Sequence, residues 1–374
     1  MNTLFCYSFQ PGWHEPSGMP NFYHQVISKS ETLSSNPLSE QLDSLDNLSS
    51  KVVLVKTLNR LGLKPFNGNL NLFSITLVIA VAKYYSNLVF IGPVGFFFAF
   101  LLRLTGYKNR ISIILYDVTF VDDYPSTALP IIRLKCFFKR LATRVYFSQS
   151  SNGQLLVLCS SHFEKLKNYN PSLALKCFKY GVYTPFYRKH RSLLQHSSFK
   201  LAYIHPKVQP FKYCIAIGSA YRNDTILKCM ASNSKWKDRM FLKISIDHSM
   251  AHRSIVQHSW NFIALYNFSA YEYLELLFSS ASALVLSARP SSMSGLTTIL
   301  ECISMKKQVF VQETCFLEDY VDDLYVKRMP TEISSELLFN SPPELSDSCE
   351  PQASDQYHEC FLEPAKQLLE ILCH

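Results

Sequence analysis

The sequence predicts an α/β protein of two domains, each built around a parallel β-sheet of the Rossmann type. Short apolar segments alternate with helix-like segments along most of the chain, which is typical of a parallel sheet covered by helices on both faces. The alternation occurs twice, before and after a polar stretch at residues 188–210. The 374 residues also exceed what one compact core normally contains.

In the first half, periodicity assigns strands to residues 4–9, 88–92, 110–118 and 144–149, with a further apolar run at 154–161. It assigns helices to residues 72–85, 96–107, 130–144 and 162–169. Residues 31–50 receive no element. The uncharged segment 88–102 is too short for a membrane span, which needs about twenty residues, and Gly92-Pro93 interrupts it. We interpret it as a strand, a turn and a helix.

In the second half, strands are predicted at residues 213–219, 240–246, 261–266, 283–288 and 308–313. Helices are predicted at residues 222–232, 270–280, 295–305 and 359–372, the last after an acidic tether. The predicted organisation is therefore an N-terminal domain, a linker, a C-terminal domain and a tail, at residues 1–187, 188–210, 211–340 and 341–374.

The net charge of +8 favours an anionic partner, namely a nucleotide, a nucleic acid or a membrane surface. The basic residues are dispersed and no nucleic-acid-binding motif occurs, so we expect no nucleic-acid partner, although such a protein stays open as an alternative. Eleven cysteines without a C-x-x-C pair indicate reduced thiols in the cytoplasm and no zinc site.

The stretch SSMSGLTTILECISMKKQVFV leaves the carboxyl end of a predicted strand, where open α/β sheets bind ligands. Backbone N–H groups at Ser294, Gly295, Leu296 and Thr297, together with the helix dipole, would form an anion site suited to a diphosphate. Glu301 follows on the same helix and would accept hydrogen bonds from ribose hydroxyls. The alternative is an ordinary capped helix with a solvated glutamate.

A second basic feature follows the first strand of the same half. Gly218 and Ser219 end that strand, and Arg222 begins the next helix. An arginine in this place can clamp a phosphate with two hydrogen bonds. The alternative is a surface arginine paired with Asp224. No G-x-G-x-x-G fingerprint is present, which argues against a dinucleotide oxidoreductase.

These stretches resemble the C-terminal domain of retaining GT-B glycosyltransferases, the large family that includes sucrose synthases and bacterial polysaccharide mannosyl- and glucosyltransferases. LECISMKKQVFV is similar to the family pattern L-E-A-M-A-x-G-K-P-V-I. LLVLCSSHFEKL and KYGVYTPFYR resemble segments of the first half. The resemblance implies a GT-B fold, with two Rossmann-like domains facing across a cleft.

The resemblance also implies transfer of a sugar, with retained configuration, from a nucleotide-sugar donor to a saccharide or lipid-linked saccharide acceptor. No cofactor is expected. No metal is expected either, because the sequence has no Asp-x-Asp motif. Gly18 would belong to a donor-binding loop, the alternative being an ordinary turn.

Two departures from the family pattern concern the reacting sugar. Met293 stands where many members carry a glutamate eight residues before Glu301. Asp117, Asp122 and Asp123 lie where many relatives place a histidine, so no catalytic residue is assigned. A subfamily with other sugar contacts and a catalytically degenerate GT-B protein with a binding or structural role both stay open.

One predicted helix, PIIRLKCFFKRLATR, is both basic and apolar, with its charges at Arg133, Lys135, Lys139, Arg140 and Arg144. Such a helix favours peripheral contact of a cytoplasmic protein with the anionic inner face of a membrane. The alternative is a helix that covers the sheet and has a solvated basic edge.

Overall fold

The chain forms two compact units. The first contains the described residues up to Tyr180 together with the C-terminal helix, and the second runs from Gly181 to Glu363. The computed structural model describes residues 3–7, 45–49, 78–79, 82–122, 129–182, 184–195, 201, 204–206, 208–217, 224–233, 239–245, 254–287, 291, 293–320, 325–329 and 363–373.

The first unit has a six-stranded parallel sheet in the order β2-β1-β3-β4-β5-β6. Its strands are β1 (Thr3–Tyr7), β2 (Leu45–Ser49), β3 (Asn87–Ile91), β4 (Arg110–Leu115), β5 (Gly153–Val157) and β6 (Leu175–Cys177). The helices that the structure describes in it are α1 (Gly95–Leu104), α2 (Pro130–Tyr146) and α3 (Ser160–Tyr169). Strands β3 and β5 are buried along their whole length, which explains their continuous apolar runs.

The second unit has a seven-stranded sheet in the order β13-β12-β11-β7-β8-β10-β9. All neighbours are parallel except β9 and β10. The strands are β7 (Tyr213–Ile217), β8 (Met240–Ser245), β9 (Ser254–Ser259), β10 (Phe262–Tyr266), β11 (Ser282–Val285), β12 (Val309–Val311) and β13 (Val326–Arg328).

Among the described residues, five helices belong to this unit by their place in the chain, and a sixth lies at the end of the described sequence. They are α4 (Thr184–Gln195), α5 (Asp224–Ser232), α6 (Ala270–Phe278), α7 (Leu296–Ser304), α8 (Leu317–Tyr320) and α9 (Glu363–Cys373). Pro364–His374, which holds most of α9, belongs to the first unit. The prediction of α/β architecture with parallel sheets is confirmed.

The order of the second sheet reverses at β7. Strands β8 and β10 are added on one side of β7, and β11, β12 and β13 are added on the other. Between β7 and β11 the chain therefore changes the direction in which it builds the sheet. Open α/β sheets bind ligands beside such a switch point, outside the carboxyl ends of the strands.

The segment 88–102 forms β3, a turn and α1, as the sequence indicated. The turn contains Gly92, whose φ of 91° is in the left-handed region. Among the helices that the structure describes, none is long and apolar enough to cross a membrane.

Segment assignments differ from the sequence prediction in several places, and strands β6, β9 and β13 were not predicted. Residues 144–149 form no strand, because α2 continues through Tyr146 and the buried Phe147 caps it. The unassigned tract 31–50 contains β2. Helix α4 spans the residues between which the first domain and the linker are predicted to meet, and Tyr187 on this helix is buried.

We predict that Gly153→Ala destabilises the first unit strongly. A Cβ at this position would overlap the carbonyl oxygen of Tyr146 and lie 2.9 Å from a ring carbon of Phe147. Neither neighbour is a flexible side-chain end, so we expect a loss of about 3 kcal/mol in the free energy of unfolding. Urea titration followed by circular dichroism measures it.

Gly106→Ala is the matched control, because a Cβ there meets nothing within 4 Å and only its φ of 81° is unfavourable. We expect a loss of about 1 kcal/mol for this control. Equal losses for the two variants would contradict the predicted overlap at Gly153.

Candidate functional site

The predicted site residues follow two neighbouring strands of the second sheet. Strands β7 and β11 pair in parallel, with Ala216 opposite Leu284, so the chain leaves both at the same edge. Gly218, Ser219 and Arg222 come directly after β7 in sequence but lie outside the described residues, as does Gly18. The loop after β11 leads to Ser294, Gly295 and helix α7.

Helix α7 presents only its first turn to solvent. Gly295 is the N-cap residue and has a φ of 105°, which a residue with a side chain adopts only with strain. Thr297 is exposed, whereas every other residue of the helix is buried. The helix dipole therefore reaches water at one place, the turn predicted to bind a diphosphate.

Part of that turn is already hydrogen-bonded within the protein. The N–H of Leu296 donates to the carbonyl oxygen of Met293 at 3.2 Å. Leu296 is thus a weaker candidate donor to a ligand than the sequence indicated, because binding would compete with this bond. Met293 itself is buried, so the position where relatives carry a glutamate is occupied by a core side chain.

Glu301 lies in the interior, with 7% of its surface exposed. Its Oε1 accepts a hydrogen bond from the hydroxyl of Tyr187 at 3.0 Å, and its Oε2 accepts one from the hydroxyl of Tyr273 at 2.5 Å. The alternative of a solvated glutamate is therefore wrong. The role of Glu301 in binding ribose stays a prediction.

The three side chains join three helices. Tyr187 lies on α4, Tyr273 on α6 and Glu301 on α7, and α4 packs against both other helices. The start of α6 is fixed by a capping box, in which Ser269 and Glu272 bond each other's backbone N–H groups. The carboxyl group thus sets the positions of three helices relative to one another.

Sequence reasoning missed both tyrosines. The sequence contained a signal for Tyr273, which lies with Leu274 and Leu277 on the apolar face of α6 and is buried with them. A buried tyrosine hydroxyl needs a hydrogen-bond partner, so a polar contact at this position could have been predicted. Tyr187 had no such signal, since its helix occupies residues interpreted in part as a linker.

Burial raises the pKa of Glu301 to about 7, and the hydrogen bonds from Tyr273 and Tyr187 oppose that rise. Burial, with the nearby Glu301 carboxyl, raises the pKa of Tyr273 well above its ordinary value. Tyr273 therefore remains a hydrogen-bond donor, and Glu301 exchanges its proton close to neutral pH.

The residues that follow the C-terminus of α7 also make specific backbone and buried polar contacts. Lys306 adopts a φ of 54°, the left-handed conformation, where the family pattern has glycine. Lys307 is buried, donates to the carbonyl oxygen of Ser280 at 2.7 Å and lies over the ring of Phe211. Burial lowers the pKa of Lys307 to about 8.

In the first unit, two of the three predicted aspartates have local partners. Asp117 accepts hydrogen bonds from the N–H of Thr119 at 2.7 Å and from its hydroxyl at 3.0 Å. Asp122 pairs with Lys165 at 2.6 Å. These contacts stabilise the turn after β4. Asp123 lies outside the described residues, and the catalytic residues stay unassigned.

We predict that Glu301 makes stability pH-dependent. Its pKa in the folded chain, about 7, lies above the ordinary value of 4.5, so the folded state binds the proton more tightly. The contribution of protonated Glu301 to the free energy of unfolding is fully present below pH 4.5 and is lost as the pH rises through about 7. Glu301→Gln should remove this dependence, which amounts to about 3 kcal/mol.

Thermal unfolding of parent and variant across that pH range is the measurement. Glu164→Gln, which removes an exposed carboxylate on α3, is the control and should follow the parent. A Glu301→Gln variant whose stability varies with pH as the parent's does would show that this carboxyl titrates normally.

No family model matches the sequence, and a search of the curated proteins finds no similar sequence. Solved structures do match. WaaG, a glycosyltransferase involved in lipopolysaccharide biosynthesis, is 11% identical with a TM-score of 0.55, covering 100% of this chain and 99% of its own. Sucrose-phosphate synthase from Thermosynechococcus elongatus is 10% identical with a TM-score of 0.54, covering 100% and 95%.

A third match has another activity. UDP-N-acetylglucosamine 2-epimerase from Rickettsia bellii is 12% identical with a TM-score of 0.52, covering 99% of this chain and 95% of its own. At these identities the likeness concerns the fold alone. The chain has the GT-B fold, as its sequence indicated.

Proposed function

We propose that the protein is a glycosyltransferase that transfers a sugar from a nucleotide-sugar donor to a saccharide or lipid-linked saccharide acceptor, with retention of configuration. The observation that carries the proposal is the switch point between β7 and β11. The residues singled out from the sequence follow these two strands, where an open sheet binds its ligand.

In this proposal, the first turn of α7 and Arg222 bind the diphosphate. Thr297 is exposed in that turn, and Ser294 is partly exposed. A helix N-terminus and an arginine would stabilise the charge that develops on the leaving diphosphate, so the reaction would need no metal and no cofactor. Gly218 and Ser219 would let the chain approach the phosphates closely.

Glu301 would bind the ribose in a site whose geometry is already fixed by Tyr187 and Tyr273. Each oxygen of its carboxylate accepts a hydrogen bond from one tyrosine hydroxyl. A carboxylate oxygen can accept a second hydrogen bond as well. The tyrosines would then act as positioning residues. They hold the carboxyl group in one orientation before the nucleotide arrives.

Further polar atoms support a ligand at this edge of the sheet. Strand β12 runs parallel to β11, and Gln312 and Thr314 follow it. Within the described part of the chain, Oε1 of Gln312 and Oγ1 of Thr314 are buried without a hydrogen-bond partner. A ligand or an ordered water is one way of satisfying such atoms, which also occur elsewhere in the described chain, for example on Asn87 and Ser112.

A second candidate is a degenerate GT-B protein that binds a nucleotide without transferring a sugar. The buried Met293 favours it, because this residue supplies no carboxylate to the sugar. A nucleic-acid-binding protein is the third candidate, suggested by the net charge of +8 and the aromatic content of 14%.

Incubation with a panel of uridine, guanosine and adenosine diphosphate sugars, with and without saccharide acceptors, tests the proposal. We expect release of a nucleoside diphosphate that depends on the acceptor. Binding of a nucleoside diphosphate by calorimetry without turnover would identify the degenerate protein. Binding of nucleic acid, with no affinity for any nucleotide, would contradict both GT-B proposals.

We predict that Glu301→Gln weakens nucleoside diphosphate binding by about 1–3 kcal/mol, because the amide cannot accept from both ribose hydroxyls. Calorimetry at pH 8, above the pKa of about 7 of Glu301, measures it, with inorganic pyrophosphate as the matched ligand that lacks ribose. Pyrophosphate affinity should stay at the parent's value. An equal loss for both ligands would indicate a distorted site and contradict a ribose contact.

Arg222→Lys should impair turnover, because lysine cannot reproduce the planar fork of two hydrogen bonds to a phosphate. We expect both nucleoside diphosphate and pyrophosphate to bind less tightly. Steady-state kinetics and calorimetry are the measurements. A lysine variant as active as the parent would reduce Arg222 to a surface charge.

A further inference from the structure

Helix α2 exposes apolar side chains where a helix covering a sheet normally presents polar ones. Its inner face packs on α1, where the rings of Phe138 and Phe100 lie 5.5 Å apart and Cys136 and Ala142 are buried. On the outer face, Leu134 and Phe137 are 62% and 63% exposed, and Leu141 and Val145 are also exposed.

These four side chains form one continuous stripe. Their spacings of three, four and four residues place them on the same side of the helix, over a length of about 17 Å. We call Leu134, Phe137, Leu141 and Val145 the outer stripe. Contiguous apolar surface of this kind marks a site of interaction.

The basic side chains of α2 fall into two groups, one in contact with the turn after β4 and one exposed on the outer face. Arg140 donates to the carbonyl oxygens of Phe120 and Asp122, and Lys139 lies 6.0 Å from the ring of Phe120. These two cations therefore stabilise the turn after β4. Arg133, Lys135 and Arg144 are exposed beside the outer stripe, with the guanidinium of Arg144 5.1 Å from the ring of Tyr169. The helix contains no acidic residue.

We propose that the outer stripe and its exposed cations form a docking surface for the anionic headgroup region of a lipid bilayer. The apolar side chains enter the boundary between headgroups and acyl chains, while the cations stay at the level of the phosphates. This surface requires no activity at the second unit, so it goes beyond the proposed function.

The charge pattern selects lipid over a second copy of the chain. In a symmetric dimer the same patch meets itself, which would bring Arg133, Lys135 and Arg144 of one copy towards the same cations of the other. Like charges at such an interface are unfavourable. A lipid surface supplies both the apolar layer and the opposite charge.

Co-sedimentation of the full chain with vesicles tests the proposal, using phosphatidylcholine alone and phosphatidylcholine with about a third phosphatidylglycerol. We expect pelleting with the anionic vesicles at low salt and about a tenfold lower partition coefficient at high salt, because salt screens the attraction. Pelleting that is absent in all conditions, or equal for neutral and anionic vesicles, would overturn the proposal.

Two variants separate the parts of the surface. Leu134→Gln with Phe137→Gln should lower the partition coefficient about tenfold or more, and Lys135→Gln should reduce the salt dependence. These residues are exposed, so thermal unfolding should be unchanged. Leu193→Gln on α4, which removes another exposed leucine, should bind vesicles as the parent does.

Parent-like vesicle binding by the Leu134→Gln, Phe137→Gln variant would overturn the assignment to α2. Sedimentation velocity without lipid gives the remaining outcome. A dimer of the parent that the same double variant converts to a monomer would make the outer stripe an interface between copies and would also overturn the proposal. Donor-dependent release of nucleoside diphosphate without lipid shows whether the transferase function stands independently.

Discussion

The buried carboxyl group of Glu301 is the contact on which the organisation of the second unit depends. This carboxyl group lies on α7 and accepts two hydrogen bonds, one from a tyrosine hydroxyl on α4 and one from a tyrosine hydroxyl on α6. Removing either tyrosine hydroxyl would leave a carboxylate oxygen in the interior without compensation, which is costly. The contact therefore fixes three helices, and α7 in turn fixes the turn that faces the switch point.

Much of this arrangement was predictable from local sequence. Parallel strands buried on both faces favour continuous apolar side chains, and LLV in β5 or CIAI in β7 gives that signal without any knowledge of the fold. The helix that follows β11 was predicted within one residue at each end. Its opening at Gly295 and the motif around Glu301 carried the family resemblance.

The failures have a common cause, which is that packing overrides local preference. RVYFSQ has the aromatic and β-branched residues of a strand, yet α2 continues through Tyr146 because Phe147 fills a place in the core. Likewise, α4 is polar in sequence, and its helix is fixed by the contact of Tyr187 with a residue 114 positions further along. No sequence window contains both partners, so the pairing of Glu301 could not be predicted.

The place of α9 affects how the two units can be separated. Pro364–His374 belongs to the first unit, where Arg110 donates to the carbonyl oxygen of Ile371 at 3.1 Å and the N–H of Lys179 donates to Gln367 at 3.2 Å. Ala365, Leu368 and Leu372 are buried. A fragment that stops at Tyr180 would lack these partners, so these contacts of the first unit form only when the C-terminal helix is present. The first unit therefore receives its last described helix only after the whole second sheet has been synthesised.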